Sequence, residues 1–278
     1  MTANGIRSYL AWLRTEYKPS RFGGSTEPLS GKTLRNVYMF ISSFFAWVSV
    51  EFKIEDPTDR VQPPRFRPKP IEPLTREEVQ AMVRACELAQ PAATNGRKSF
   101  QMRRRTGPRD VAVLMTLLDT GLRVSEICAL RIGDVDLKTG QVEIRHGPRG
   151  GAKGGKGRVV FLGKETRHYV WRYLASRESK GDPEAPLFAG AWDRPMTQNS
   201  LRLLVKSLAA KAGVRNCYPH KFRHTFAITY LRSGGDVFTL QALLGHSSLD
   251  MVRHYSMISQ VDVAIAHRRA SPVDNWRL

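Results

Sequence analysis

The chain has 278 residues, enough for one large domain or two modest ones. Its 44 Lys and Arg against 25 Asp and Glu leave a formal net charge of +19. Solubility needs far less, so the excess favours a polyanionic partner, nucleic acid ahead of an acidic membrane or protein surface. Hydrophobic residues make up 41% of the chain, so a packed core is affordable. No apolar run approaches the about 18 residues that a membrane span needs. The opening MTANGIRSYLAWLR lacks the charged and apolar regions of a signal peptide. Cys86, Cys128 and Cys217 are scattered and form no CxxC pair, which argues against a disulfide framework or cysteine zinc site and fits a reducing compartment.

In chain order, Gly5 to Tyr17 reads as a helix, with Ile6, Tyr9, Leu10, Leu13 and Tyr17 on one stripe. After a loop, Ser30 to Phe52 reads as a second helix. Its broad apolar face carries Leu34, Val37, Tyr38, Ile41, Phe44, Phe45 and Val48. Two helices make a thin domain, residues 1–62. Val61 to Pro73, VQPPRFRPKPIEP, holds five prolines in thirteen residues. Such a stretch suits neither a helix nor a central strand. It places a linker over residues 63–73, ahead of a second domain spanning residues 74–278.

Thr75 is a natural N-cap, and Glu78 completes a capping box. Pro91 to Arg109 reads as a loop with six basic residues and no acid: Arg97, Lys98, Arg103, Arg104, Arg105 and Arg109. Such a cluster suits either solvent or phosphate, and Arg103, Arg104 and Arg105 are the candidate DNA contacts. Asp110 to Leu118 is a buried helix. Gln141 to His146 and Arg158 to Leu162 are strands joined by the glycine-rich turn GPRGGAKGGKG. Helices follow over Glu165 to Arg177, Ser200 to Ala212 and Pro219 to Arg232. Asp236 caps a short helix ending at Gly245, and Ser248 caps the next, which carries Tyr255. The whole is mostly α with a small antiparallel β-sheet.

Four stretches carry the chemistry: TGLRVSE (Thr120 to Glu126), the turn with Lys153 and Lys156, HKFRH (His220 to His224), and LGHSSLDMVRHYS (Leu244 to Ser256). Alone, each has a bland alternative. Arg123 suits a solvated helix start, and Tyr255 a half-buried core. His220 and His224 at i, i+4 suggest zinc, but that motif needs Glu where this chain has Lys221. Together, Arg123, Lys153, His220, Arg223, His246 and Tyr255 occur in an order that resembles the tyrosine recombinase (phage integrase) family. The Xer-like branch is the most similar, from about Leu74 to the C-terminus.

The resemblance implies a site-specific DNA recombinase with a tyrosine-recombinase catalytic domain behind a short helical core-binding domain. Relatives begin with further helices, so residues 1–62 are expected to form only part of that domain. Tyr255 would attack a phosphodiester and form a 3′-phosphotyrosine. Arg123 and Arg223 would hold the non-bridging oxygens, and His246 would donate to the phosphate. His220 would act as base or donor, and Glu126 would orient the site. Relatives carry GKGxKxR in the turn, where this chain has AKGGKGR. Lys153 therefore aligns with the lysine that protonates the leaving oxygen and Lys156 with the second one. The GPRGGA insertion leaves Lys156 as the alternative.

Neither ATP, metal nor another cofactor is implied. The implied partner is double-stranded DNA with inverted-repeat sites, bound by a homotetramer that is monomeric or weakly associated when free. No membrane is involved, and the setting is cytoplasmic, with the nucleoid. The 23 residues after Tyr255 include a short apolar stripe, Val261, Val263, Ala264 and Ile265, that would reach a neighbouring protomer. The competing functions are a type IB topoisomerase, which religates the same strand, and a DNA-binding protein without catalysis.

Overall fold

The computed structural model describes residues 2–20, 26–66, 72–88, 102–145 and 157–245, with residues 271 and 273. The chain forms two compact units, Met1–Pro70 and Ile71–Leu278.

The first unit packs two helices, α1 (Ala3–Thr15) and α2 (Gly31–Phe52). The Thr2 hydroxyl accepts from Gly5 N–H, so α1 starts two residues earlier than its apolar stripe suggests. Ser30 caps α2 through Thr33 N–H. Ile6, Tyr38 and Val61 form the small core, and the Tyr38 hydroxyl donates to the Val61 carbonyl at 2.9 Å. Val61, where the proline-rich stretch begins, is thus packed into this unit. The expected apolar face of α2 is only partly buried: Phe44 is 55% exposed, alongside Phe40 and Trp47. Two helices can cover one stripe of each other and no more.

The second unit is built from α3 (Arg76–Glu87), α4 (Gly107–Thr120), α5 (Val124–Ala129), β1 (Gln141–Ile144), β2 (Arg158–Phe161), α6 (Lys164–Ala175), α7 (Gln198–Lys211), α8 (Pro219–Arg232) and α9 (Val237–Leu244). It is mostly helical with one small sheet. β1 and β2 pair antiparallel, Gln141 opposite Phe161 and Ile144 opposite Arg158. The central element is α4, whose Val111, Ala112, Val113, Leu114 and Leu117 are all buried. It packs against α3, α6, α8 and β2. The capping box of α3 forms as its sequence predicts: Glu78 N–H donates to the Thr75 hydroxyl, and Thr75 N–H to the Glu78 carboxylate. The buried Thr225 hydroxyl of α8 accepts from Leu74 N–H at 2.8 Å, tying the start of this unit to α8.

The helix expected from Asp110 starts instead at Gly107, with Pro108 in its first turn, where its missing N–H costs nothing. Asp110 then faces inward and is fully buried. Arg104 and Arg109 pair with its two oxygens at 2.9 and 2.8 Å, and the Thr106 hydroxyl donates to it. Removing one side of a buried pair leaves uncompensated charge. Asp110→Ala is therefore expected to lower the unfolding free energy by about 3–5 kcal/mol in denaturant titrations. Thr106→Ala, which removes one neutral donor, should cost only about 1 kcal/mol.

Candidate active site

The stretch TGLRVSE ends α4 and begins α5. Gly121 takes a left-handed φ of 60°, and a Cβ there would sit 2.6 Å from the Phe226 ring. Only glycine serves at this turn. Arg123 precedes α5, and its backbone N–H donates to the Glu126 carboxylate at 2.8 Å. The Arg123 guanidinium returns to the same carboxylate at 2.9 Å. Glu126 is buried, 1% exposed. Arg158, the first residue of β2, takes both its oxygens in a fork at 2.9 and 2.8 Å.

Three arginines converge on the end of α9. Arg158 Nε donates to the Leu243 carbonyl at 2.6 Å, Arg223 Nη2 to Leu244 at 2.7 Å, and Arg123 Nη2 to Gly245 at 3.1 Å. These are carbonyls that a helix C-terminus leaves without intrahelical donors, and the helix dipole favours cations there. Arg223 is 2% exposed, and its Nη1 also holds the Gly121 carbonyl at 2.7 Å. One side chain of α8 therefore links the TG and LG turns. Gly245, like Gly121, has a positive φ, and a Cβ on it would come within 3.0 Å of Arg158.

Beside this cluster opens a cleft of about 810 Å³, bounded by Arg123, His220, Gln198, Arg202 and Lys206 among others. No carboxylate lines it among the described residues. Arg202 and Lys206, one turn apart on α7, are additions that the sequence pattern does not single out. A basic pair at i, i+4 is common on any solvated helix face.

The structure brings together Arg123, Glu126, His220 and Arg223. Lys153, Lys156, His246 and Tyr255 lie outside the described residues, as do Arg97, Lys98 and the stripe from Val261 to Ile265. The expected basic loop does not behave as one group. Arg104 is turned inward onto Asp110 and also donates to the Ala85 and Cys86 carbonyls. Arg109 bonds Asp110 and the Ala189 carbonyl. Arg103 and Arg105 are exposed. Among the described residues no group of three or more His, Cys, Asp or Glu side chains gathers as a metal site.

Residues 72–260 match the family model described as the phage integrase family. The chain belongs to that family. A tyrosine recombinase XerD of Xanthomonas campestris pv. campestris is 32% identical over 280 aligned positions, covering 97% of this chain and 77% of that protein. A tyrosine recombinase XerA of Thermococcus kodakarensis is 30% identical, over 97% of this chain and 87% of its own length. In fold, the chain is similar to the Tn1549 transposon integrase in complex with transposon right end DNA. That structure has a TM-score of 0.73 at 19% identity, with 98% of this chain and 86% of that one covered. This integrase-family protein is a site-specific tyrosine recombinase.

The charges of the recombinase's cleft set its protonation states. Burial would raise the Glu126 carboxyl, but the Arg158 hydrogen bonds and charge, reinforced by Arg123, hold it below its ordinary value of 4.5. Its contribution to stability is therefore complete above 4.5 and is lost only as the pH falls through the lowered value. Desolvation lowers the His220 imidazole below 6.5, and the Arg223, Arg123 and Arg202 charges push the same way. Burial, His220 and Arg223 bring His224 down to about 4. Both rings are thus mainly neutral at pH 7, which suits His220 to accept a proton.

An NMR titration of the free protein at low salt should find His220 with a midpoint below 6.5. Arg202→Ala, at an exposed position, should move that midpoint upward. A midpoint unmoved or lowered by the substitution would contradict this electrostatic picture.

Proposed function

We propose that the recombinase cleaves and rejoins DNA through Tyr255, with the phosphate held over Arg123 at the mouth of the basic cleft. The observation that carries this reading is that Arg123 and Arg223 meet at the end of α9, just before His246, with Glu126 bonded to Arg123 and His220 lining the same cleft as Arg123. The Tyr255 phenol oxygen attacks phosphorus and the P–O5′ bond breaks, leaving a 3′-phosphotyrosine. Lys153 protonates the departing 5′-oxygen, Lys156 being the alternative. His220, neutral at pH 7, takes the phenolic proton or donates to the phosphate, and His246 donates to a non-bridging oxygen. Arg123 and Arg223 hold the non-bridging oxygens. Arg123 lines the cleft, whereas Arg223 is buried on the Gly121 and Leu244 carbonyls, so of the two Arg123 is the one open to an incoming phosphate. The bond energy stays in the adduct, and the step uses neither ATP nor metal.

The partner is double-stranded DNA with inverted-repeat sites. Four copies assemble on it, the free protein being monomeric or weakly associated, and the residues after Tyr255 link protomers. The working place is the cytoplasm, with the nucleoid. No helix among the described residues is long and apolar enough to cross a membrane.

Tyr255→Phe should bind a nicked suicide substrate with unchanged affinity yet give no SDS-stable adduct, while the wild-type chain gives the adduct in excess EDTA. An adduct from the variant, or a strict need for Mg²⁺, would refute the assignment. For the basic segment, Arg103→Ser with Arg105→Ser should reduce the log–log salt slope of DNA binding by up to about 2, one phosphate contact for each. Arg104→Ser should instead lower thermal stability, because its guanidinium holds Asp110. A slope unchanged by the double substitution would leave these two residues without a DNA role.

A further inference from the structure

Arg158 is the one member of the arginine cluster to which the mechanism gives no task. Its guanidinium takes both oxygens of Glu126 and, through Nε, the Leu243 carbonyl. Its side chain is only 12% exposed. It does not line the cleft beside Arg123 and His220. It therefore does not meet a phosphate there, and its influence must pass through the groups it holds.

We propose that Arg158 is a positioning residue for strand cleavage, neutralising and fixing the Glu126 carboxylate so that Arg123 is held at the cleft mouth with its charge available to the scissile phosphate. This rests on Arg123 being the phosphate-neutralising cation. The charge count supports it. A carboxylate paired with Arg123 alone would form a neutral couple, and the approaching phosphate would compete with Glu126 for the guanidinium. With Arg158 forked onto the same carboxylate, the three groups carry a net positive charge. The Arg123 guanidinium keeps one hydrogen bond to Glu126 for orientation while its charge is not cancelled.

Geometry points the same way. Arg158 grips the carbonyl of Leu243, and Arg123 that of Gly245, two residues further on. Glu126 sits between the two guanidiniums. Loss of Arg158 frees the carboxylate to swing onto Arg123, and displacement of a reacting group by about 1 Å costs about 10²-fold in rate. No other described ionisable group bonds to Glu126.

The test uses the full chain and a suicide substrate in two forms, an ordinary scissile phosphodiester and a methylphosphonate at the same position. The methylphosphonate lacks the negative charge that Arg123 neutralises. Cleavage rates are measured for the wild type, Arg123→Ala, Arg158→Met and the more conservative Arg158→Lys. On the ordinary substrate, Arg158→Met should be slowed about 10²-fold, with DNA affinity within a factor of about 3 (~0.6 kcal/mol). Arg158→Lys, keeping the charge but not the fork, should recover part of the rate.

On the methylphosphonate, the rate of each Arg158 variant relative to wild type should rise at least about tenfold, as for Arg123→Ala. An Arg158 defect equal on both substrates, with Arg123→Ala compensated, would overturn the positioning role and leave Arg158 purely structural. If Arg123→Ala itself is not compensated, Arg123 is not the neutralising cation and the proposal falls with that reading. Arg158→Lys supplies the comparison should Arg158→Met fail to fold.

Discussion

A single buried carboxylate organises the catalytic unit. Glu126 is almost completely withdrawn from water, where an isolated anion would be too costly to remain ionised. Two forked bonds from Arg158 and two donors from Arg123 offset that cost. Since Arg123 precedes α5, Arg158 opens β2, and both hold the end of α9, one ion cluster fixes three segments that are distant in the chain. A hydrophobic contact could pack the same elements, but it would not set guanidinium orientations. Buried ionic groups confer that kind of specificity at a cost in stability.

The placement of acids bears on the charge of the cleft. Asp110, Glu126 and Asp134 are buried. Asp110 and Glu126 each neutralise arginines inside, and Asp134 accepts the Arg131 backbone N–H. Glu126 is thus drawn inward, whereas Arg202 and Lys206 of the cleft remain exposed. The cleft has no carboxylate among its described lining residues, and Glu126, which bonds the lining residue Arg123, is buried.

Much of this was legible in the sequence where the determining interaction is local. The Thr75–Glu78 capping box, the Asp236 cap, and the bounds Pro219–Arg232 of α8 depend on residues within one turn of each other. The motif residues Arg123, His220 and Arg223 could be named because their spacing resembles a family, and the structure brings them together. What was not legible depends on long-range pairing. Arg103 and Arg104 are adjacent and identical in type, yet only Arg104 meets Asp110, because α4 begins three residues earlier than its apolar pattern implies. Phe44 lies on an apolar stripe, yet α1 is too narrow to cover it. Arg158 looks like a solvent-facing strand residue until its carboxylate partner, 32 positions away, is in place.

The end of α9 shows why so many cations are concentrated at one point. With only the eight residues Val237–Leu244, the helix is short, and a helix of that length is marginal without external support. At its start, Asp236 accepts from the Phe238 and Thr239 N–H groups. At its end the carbonyls of Leu243, Leu244 and Gly245 are met by arginines from β2, α8 and the turn before α5. Each cation both satisfies a carbonyl and opposes the negative pole of the helix dipole. Gly245 provides the left-handed exit and leaves room for the Arg158 guanidinium, which a Cβ would crowd. The chain therefore continues toward His246 from a point fixed by side chains of three other segments. Any shift of Arg123 is mechanically coupled to that point through the Gly245 carbonyl. Arg123 is thus tied at once to the buried Glu126, to the cleft and to the end of α9.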